Sequence, residues 1–210
     1  MHHLNMAPET EGDGRKWQFI GIWSRNRWEW LVTHFANMYF NYTSIGFFDS
    51  MGPQTTDYIL EQTGLQTMFV EGNLVKKLIQ MCKDGYCKHL KTIVSFDSFT
   101  DEEREAAKSF GIDLMAFEHV RQTGADKPVE WKKCSEHDFP LFSYTSGTTG
   151  DSKGVKLTHR NLVRGGIEIQ KVFAGLNEED SYISYLPYPH SFEQCLLYLA
   201  VCLGMKIGYY

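Results

Sequence analysis

Residues 146–154 combine the side chains and the backbone freedom that a phosphate-binding loop requires. Ser146, Thr148 and Thr149 supply hydroxyl groups, and Lys153 supplies a positive charge. The glycines that let the backbone approach a ligand are Gly147, Gly150 and Gly154. Backbone N–H groups, hydroxyls and one ammonium suit a triphosphate, because its anionic oxygens accept many hydrogen bonds at short range. The composition of this loop therefore predicts a phosphate cradle.

The register of the loop separates it from better-known motifs. A Walker A loop needs Gly directly before Lys, but position 152 is Ser and Gly follows Lys153. A G-x-S-x-G elbow fails because Tyr144 stands where that motif has its first Gly, and no G-x-G-x-x-G follows a predicted strand. A P-loop kinase is therefore disfavoured, and a Gly/Thr surface turn is the alternative without chemistry.

Apolar runs of strand length alternate with helical segments along the chain. Strands are predicted at 17–23, 44–49, 66–71, 90–96, 113–117, 139–145 and 155–158. Helices are predicted at 26–41, 53–64 and 74–83, and from residues 101 and 159 onward. This alternation predicts an α/β fold with a mainly parallel, doubly wound sheet flanked by helices. Residues 122–138 are expected to be a connection, and residues 1–15 a disordered or irregular N-terminus.

Two of the predicted helices carry further signals. The first has one apolar stripe at helical spacing, formed by Trp28, Leu31, Val32, Phe35 and Tyr39. Trp30 lies two residues from Trp28 and cannot share its face, so at least one of the two is expected to pack or to contact a partner. Thr100 and Glu103 have the spacing of a capping box, so the acidic run that follows Thr100 is interpreted as a helix N-terminus.

The composition excludes several classes of protein. Apolar residues make up 42% and charged residues 22% of the 210 residues, which is typical of a globular chain and excludes collagenous, coiled-coil and disordered classes. A net charge of -5 disfavours nucleic acid as a partner. Five irregularly spaced cysteines favour a reducing, cytosol-facing compartment. The longest apolar stretch, Cys195 to Met205, is about half of the roughly 20 residues that span a bilayer, so no transmembrane segment is predicted.

The residues from Tyr144 to Leu162, YTSGTTGDSKGVKLTHRNL, resemble the phosphate-loop signature of the adenylate-forming (AMP-binding) acyl-CoA synthetases. Residues 21–30, 47–53 and 185–193 resemble the long-chain fatty-acid CoA ligase branch of this superfamily in particular. The resemblance extends from about Trp17 to the last residue. It implies a sheet of the kind that the alternation predicts.

The chain departs from the family pattern at two places. Ser152 stands where the loop usually has Pro, and Tyr188-Pro189 stand where Leu-Ala usually precede His190. The first change is expected to loosen the turn without removing a donor. The second leaves the preferred acyl chain length open.

The resemblance implies a two-step ligation. A long-chain fatty acid attacks the α-phosphate of ATP, which binds with Mg2+, and pyrophosphate leaves; the thiol of coenzyme A then displaces AMP. The carboxylate is already ionised near neutral pH, so the first step needs no general base. It needs positioning, and stabilisation of the charge that develops on pyrophosphate.

The resemblance also assigns roles to individual residues. Thr145 is expected to be the hydroxyl nearest Mg2+, Lys153 and His190 the catalytic residues, and Phe192 part of the acyl tunnel, with His190 beside the acyl carboxylate. The expected phosphate cradle consists of Thr145, Ser146, Gly147, Thr148, Thr149, Gly150, Lys153 and Gly154. For His190 the alternative is a loop histidine with only local hydrogen bonds. Glu193 is expected to pair with a basic neighbour and has no assigned role.

The family's later motifs have no counterpart in the sequence. These are the Tyr-Gly-x-Thr-Glu motif, the ribose-binding Asp, the hinge and the C-terminal domain with its catalytic Lys. Residues 16–210 are therefore expected to be part of an N-terminal domain, truncated at its C-terminal end and inactive by itself. A truncated, non-catalytic paralogue that binds nucleotide phosphate, lipid or a partner is the alternative. Peripheral association with the endoplasmic reticulum, peroxisomal or mitochondrial membrane stays open.

Overall fold

The computed structural model describes residues 1–145 and 152–210. Within these ranges the strands are β1 (Glu9–Gly12), β2 (Arg15–Trp23), β3 (Thr43–Gly46), β4 (Thr67–Val70), β5 (Thr92–Ser95), β6 (Asp113–Ala116), β7 (Leu141–Thr145), β8 (Lys153–Leu157), β9 (Ser181–Ser184) and β10 (Lys206–Tyr209). The α-helices are α1 (Trp28–Tyr39), α2 (Pro53–Thr63), α3 (Asn73–Lys83), α4 (Asp101–Ser109), α5 (Phe117–Asp126), α6 (His159–Val172) and α7 (Ser191–Leu203). A short 3-10 helix covers His2–Leu4.

One mixed sheet organises the chain. Its strand order is β6-β5-β4-β2-β3-β7-β8, and every neighbouring pair from β6 to β7 is parallel. The antiparallel pairs are β8 with β7 and β1 with β2. Strands β9 and β10 form a separate parallel pair. The predicted mainly parallel α/β sheet is thereby confirmed.

The two faces of the sheet are covered by different helices. Ile59 of α2, Leu78 of α3 and Ala107 of α4 belong to one buried cluster. Trp30 of α1, Val120 of α5 and Leu197 of α7 belong to another. Two cores on opposite faces of a parallel sheet are the arrangement of a doubly wound fold, as the sequence predicts.

Helix α1 turns a largely polar side inward. Its buried residues are Glu29, Trp30, Thr33, His34 and Asn37. The apolar stripe instead leaves Trp28, Val32 and Tyr39 more than two-fifths exposed, at 48%, 44% and 44%. The apolar stripe predicted for this helix is therefore not its buried side, although Trp30 does pack inside and Trp28 does not, as their separation requires.

Hydrogen bonds offset part of the cost of burying polar side chains on α1, although His34 Nε2 and Asn37 Oδ1 have no partner among the described residues. The Nδ1 atom of His34 lies 2.8 Å from the Ser44 hydroxyl, and the Asn37 amide donates to the same oxygen at 2.9 Å. Thr33 donates to the carbonyl of Glu29 at 2.7 Å. Buried polar groups are tolerated when they are paired in this way. The periodicity of apolar residues carries no information about such partners, of which Ser44 comes from strand β3.

The first 15 residues correct the expectation of a disordered or irregular N-terminus. Asp13 and Gly14 have φ values of 51° and 70°, and they join β1 to β2 in a tight hairpin. Two residues with positive φ give the turn whose twist matches that of paired strands, and Asp-Gly is a favoured sequence for it. The polar residues of β1 show no apolar alternation, so the Asp-Gly pair is the signal that could have predicted this strand.

Helix α5 likewise corrects the expected connection at 122–138, because it extends to Asp126. Phe117 and Val120, three residues apart, are both buried and hold this helix against the sheet. The polar residues of its last turn carry no such pattern.

The remaining helix signals agree with the structure. Thr100 accepts from the amide of Glu103 at 3.2 Å and its own amide donates to the Glu103 carboxylate at 2.7 Å, which confirms the capping box.

Helix α7 contains most of the longest apolar stretch and is 13 residues long. Among residues 1–145 and 152–210, no helix combines the length and the apolar character needed to cross a membrane.

The burial of His34 predicts how stability depends on pH. Burial lowers the pKa of His34 to about 3, whereas a histidine in an unfolded chain titrates near 6.5. Below that pH the unfolded chain binds a proton that the folded chain does not bind, so the free energy of unfolding falls as pH falls, by about 1.4 kcal/mol per pH unit for this group.

Urea unfolding of the wild type and of His34→Asn between pH 6 and pH 4.5 checks this prediction. The wild type should lose stability more steeply than the variant by about that amount. Equal slopes would mean that His34 can be protonated in the folded protein.

Candidate functional site

The candidate site lies at the edge of the sheet where the parallel strands have their carboxyl ends. Strand β2 continues into α1 on one face, whereas β3 and β4 continue into α2 and α3 on the other. Neighbouring strands whose connections leave toward opposite faces have a crevice between them at this edge, where open α/β sheets bind ligands. Strand β7, parallel to β3, brings Thr145 to the same edge.

A cavity of about 420 Å³ opens at this edge. Its lining residues are Phe48, Ser50, Met51, Thr55, Ser143, Tyr144, Thr145, Ser152, His190 and Ser191. Thr145 and His190 come from different sequence motifs, and the fold brings them to one cavity together with Ser152. We refer to this space as the Thr145–His190 cavity.

Thr145 and Lys153 are partners across the β7–β8 pair. The Thr145 hydroxyl donates to the Lys153 carbonyl at 3.5 Å, and both residues are exposed. They flank the segment 146–151 on both sides. The other predicted cradle residues, Ser146, Gly147, Thr148, Thr149 and Gly150, lie outside the described residues.

Gly154 has a packing reason to be glycine. A Cβ atom at this position would lie 3.1 Å from Cζ of Tyr144, which is tighter than ordinary contact. The Tyr144 hydroxyl in turn donates to the side-chain oxygen of Gln62 at 2.6 Å. Gly154 therefore contacts the ring of Tyr144 and borders a second cavity of about 200 Å³, not the Thr145–His190 cavity.

His190 is the N-cap residue of α7. Its Nδ1 atom accepts a hydrogen bond from the amide of Phe192 at 3.2 Å. In a neutral imidazole the nitrogen that accepts carries no proton, so Nε2 carries it and can donate to a ligand. A local hydrogen bond is the alternative that the sequence offers for His190, and this bond is present. It leaves Nε2 as the ring nitrogen that can donate to a ligand in the cavity.

The two residues before His190 explain the departure from the family pattern. Tyr188 is fully buried, and its ring lies 4.8 Å from the ring of Trp30, centre to centre. Pro189 is also buried and packs on Gly46, and its carbonyl accepts from the Ser143 hydroxyl at 2.8 Å. Tyr188 and Pro189 thus anchor the segment that carries His190.

Phe192 and Glu193 differ from their sequence-based expectations. Phe192 is 47% exposed and is not among the lining residues of the Thr145–His190 cavity, so the structure does not bring it to Thr145. Glu193 is fully buried and accepts hydrogen bonds from the hydroxyls of Tyr182 and Ser184, not from a basic neighbour. Tyr182 and Ser184 are two residues apart and lie on one face of β9, but the sequence does not show that this face packs against Glu193.

Charged side chains at the carboxyl edge pair with one another. Arg25 lies 2.6 Å from Glu71, and Arg27 lies 2.7 Å from Glu29 and 2.9 Å from Asp97. Burial raises the pKa of Glu71, but the hydrogen bonds from Arg25 outweigh it and hold that pKa below its usual value. Over the described part of the chain, no three His, Cys, Asp or Glu side chains are grouped closely enough to hold a metal ion.

Comparison with curated proteins places these residues in a family context. A family model described as AMP-binding enzyme matches residues 12–210. The chain is 31% identical over 191 residues to fatty acyl-CoA synthetase B of Dictyostelium discoideum, covering 90% of the chain and 28% of that protein. It is 29% identical over 197 residues to long-chain-fatty-acid–CoA ligase 1 of Cavia porcellus, covering 92% of the chain and 28% of that protein. The chain thus spans 28% of the length of these two relatives.

Solved structures share the fold. The adenylation domain of a carboxylate reductase from Mycobacterium chelonae matches with a TM-score of 0.75 at 16% identity, over 91% of this chain and 31% of that chain. A red-emitting luciferase from Phrixothrix hirtus matches with a TM-score of 0.72 at 18% identity, over 91% of this chain and 36% of that chain. At these identities the likeness establishes the architecture of the sheet and its helices.

The contact between Gly46 and Pro189 predicts the effect of a small substitution. A Cβ atom at position 46 would lie 2.7 Å from Cβ of Pro189 and 3.0 Å from its Cα. Because Pro189 is buried and its backbone cannot give way easily, Gly46→Ala should lower the free energy of unfolding by about 1–3 kcal/mol.

Urea unfolding of Gly46→Ala checks this prediction, and Gly52→Ala is the matched control. Gly52 has a φ of -81°, and a Cβ there would meet only the Gln54 side chain, at 3.8 Å. Gly52 is the N-cap residue of α2, where Ala is poorer than Gly, so its stability should fall by about 0.5 kcal/mol and by less than that of Gly46→Ala. Equal stability of the two variants would refute the packing of Pro189 on β3.

Proposed function

The chain belongs to the AMP-binding enzyme family, and we propose that the protein containing it activates long-chain fatty acids with ATP and transfers them to coenzyme A. The fatty acyl-CoA synthetase and the long-chain-fatty-acid–CoA ligase to which it is similar support this choice of acid and thiol. The observation that carries the proposal is the Thr145–His190 cavity. It brings together a hydroxyl beside the phosphate-loop segment and an imidazole that can donate a hydrogen bond.

In the first step one oxygen of the fatty carboxylate attacks the α-phosphorus of ATP. The bond between this phosphorus and the bridging oxygen breaks, and pyrophosphate leaves with the bonding electrons. An ionised carboxylate needs no base, so the protein contributes orientation and hydrogen-bond donors. His190 donates from Nε2 to the carboxylate or to the phosphoryl oxygen beside it.

Thr145 and Lys153 serve the phosphates in this proposal. They flank segment 146–151 from opposite strands, so a triphosphate held by that segment lies next to both. The exposed Lys153 ammonium offsets negative charge as pyrophosphate leaves. Ser146, Gly147, Thr148, Thr149 and Gly150 complete the proposed cradle.

The residues present fit a magnesium ion that arrives with ATP. Mg2+ prefers oxygen ligands, keeps several waters and commonly binds substrate phosphates with few protein groups. The Thr145 hydroxyl is an exposed oxygen on the cavity wall and would supply one such ligand. When bound, Mg2+ neutralises charge on the departing pyrophosphate.

In the second step the sulfur of coenzyme A attacks the acyl carbon after the thiol has lost its proton to solvent. The bond between the acyl carbon and the phosphate oxygen breaks, and AMP leaves with the bonding electrons. Free cysteines at all five positions accord with the proposed cytosol-facing location, where thiols stay reduced. Peripheral membrane association is proposed with it, because a long-chain fatty acid partitions into lipid.

Fatty-acid-dependent exchange of labelled pyrophosphate into ATP tests the proposed reaction. The assay uses the gene product that contains the 210 residues, since the 210 residues alone are expected to give no turnover. Exchange should appear with acids of about 14 to 20 carbons, whose acyl chains gain about 0.8 kcal/mol per buried CH₂ group. Exchange with acetate or an amino acid alone would reject the long-chain assignment, and none with any acid would favour a non-catalytic paralogue.

Lys153→Ala tests the proposed role of the cation. Loss of one preorganised donor in an active site typically lowers the rate by about 10² to 10³, so pyrophosphate exchange should fall by that factor. The side chain is exposed, so the melting temperature should stay unchanged. Lys171→Ala on α6, which removes another exposed lysine, is the control and should keep full exchange. Unchanged exchange in Lys153→Ala would contradict the assignment.

A further inference from the structure

Asn26 binds one distant segment of the chain through three hydrogen bonds. Its amide nitrogen donates to the Ser184 hydroxyl at 2.8 Å and to the carbonyl of Leu186 at 2.6 Å. Its amide oxygen accepts from the backbone N–H of Tyr188 at 3.0 Å. One side chain at the carboxyl end of β2 therefore holds the segment that leads from β9 to His190.

Glu193 fixes the same segment from the other side. Its carboxylate is fully buried and accepts from Ser184 at 2.5 Å and from Tyr182 at 2.6 Å. A buried carboxylate is tolerated only with such charge-assisted hydrogen bonds. Because Ser184 gives its only proton to Glu193, its oxygen is left to accept from Asn26, and the polarity of the chain Asn26–Ser184–Glu193 is set.

Gln194 completes the support. Its side-chain nitrogen donates to the carbonyl of Tyr188 at 2.6 Å. Since Asn26 holds the N–H of Tyr188, both backbone polar groups of this residue are bound by side chains. Tyr188 lies two residues before His190, so its backbone sets where His190 caps the N-terminus of α7.

We propose that Asn26, Glu193 and Gln194 are positioning residues for His190, an inference that rests on the proposed function for the role of His190 itself. They fix the backbone of the segment 184–188, which is not a helix or a strand beyond Ser184. This fixes the direction in which His190 presents Nε2 to the Thr145–His190 cavity. Misplacement of a reacting group by about 1 Å can cost about 10²-fold in rate, so a loosened segment is expected to lower turnover without unfolding the protein.

A double-mutant cycle in the gene product tests the proposal. Asn26→Ala should lower the specificity constant for fatty acid in pyrophosphate exchange by about 10- to 100-fold, mainly in kcat. In a His190→Ala background the same change should have little further effect, less than about 3-fold, because the residue it positions is gone. Equal effects of Asn26→Ala in both backgrounds would overturn the proposal.

Asn37→Ala is the matched control. Asn37 is a buried asparagine in α1 whose amide donates to Ser44 and not to the segment before His190. This variant should lose stability in urea unfolding but keep the specificity constant of the folded enzyme. A loss of activity in Asn37→Ala equal to that in Asn26→Ala would assign the effect to general destabilisation and overturn the proposal.

A second readout does not depend on activity. In the gene product, ¹⁵N NMR of the His190 ring, identified by its loss in His190→Ala, should show one tautomer with the proton on Nε2. In Asn26→Ala the ring should shift toward a mixture of tautomers, because its N-cap geometry is no longer fixed. An unchanged ring signal would overturn the positioning role, whereas absent exchange in the wild type would reject the proposed function alone.

Discussion

Parallel strands β2, β3 and β4 end at a common edge, but the chain leaves β2 toward one face of the sheet and leaves β3 and β4 toward the other. Connections that diverge in this way leave space along this edge of the sheet, and the Thr145–His190 cavity lies at the same edge, against the β3–α2 connection and the end of β7. Strand β7 beside β3 forms one wall and ends at Thr145. The segment before α7 forms the other wall and ends at His190.

A crevice of this kind is surrounded by loops, whose backbone groups lack the partners that helices and sheets provide. Here long-range side-chain hydrogen bonds supply those partners. Ser143 binds the carbonyl of Pro189, and Asn26 and Gln194 bind the backbone of Tyr188. Each of these bonds joins a regular element or its end to the irregular segment, so the rigidity of the sheet is transmitted to His190. The same solution allows α1 to bury His34 and Asn37 against Ser44.

The sequence predicted the features that local physics controls. Apolar runs located the strands from β2 to β8, and the spacing of Thr100 and Glu103 predicted a capping box that is present. Resemblance to a family correctly identified the family to which the chain belongs. Features that depend on distant partners were wrong or missing. The inward side of α1 depends on Ser44, and the partner of Glu193 depends on where β9 packs, so neither could be inferred from periodicity.

In the proposed function, phosphate and acyl chemistry take place between Thr145 and His190. A crystal structure of the gene product with a non-hydrolysable acyl-adenylate analogue tests it most directly. The phosphoryl mimic should lie in the Thr145–His190 cavity, with His190 Nε2 within about 3.2 Å of one of its oxygens or of the acyl carbonyl. An analogue bound in the apolar groove between α1 and α5, which Val32, Tyr39 and Val120 help to line, or with His190 turned away from it, would contradict this account.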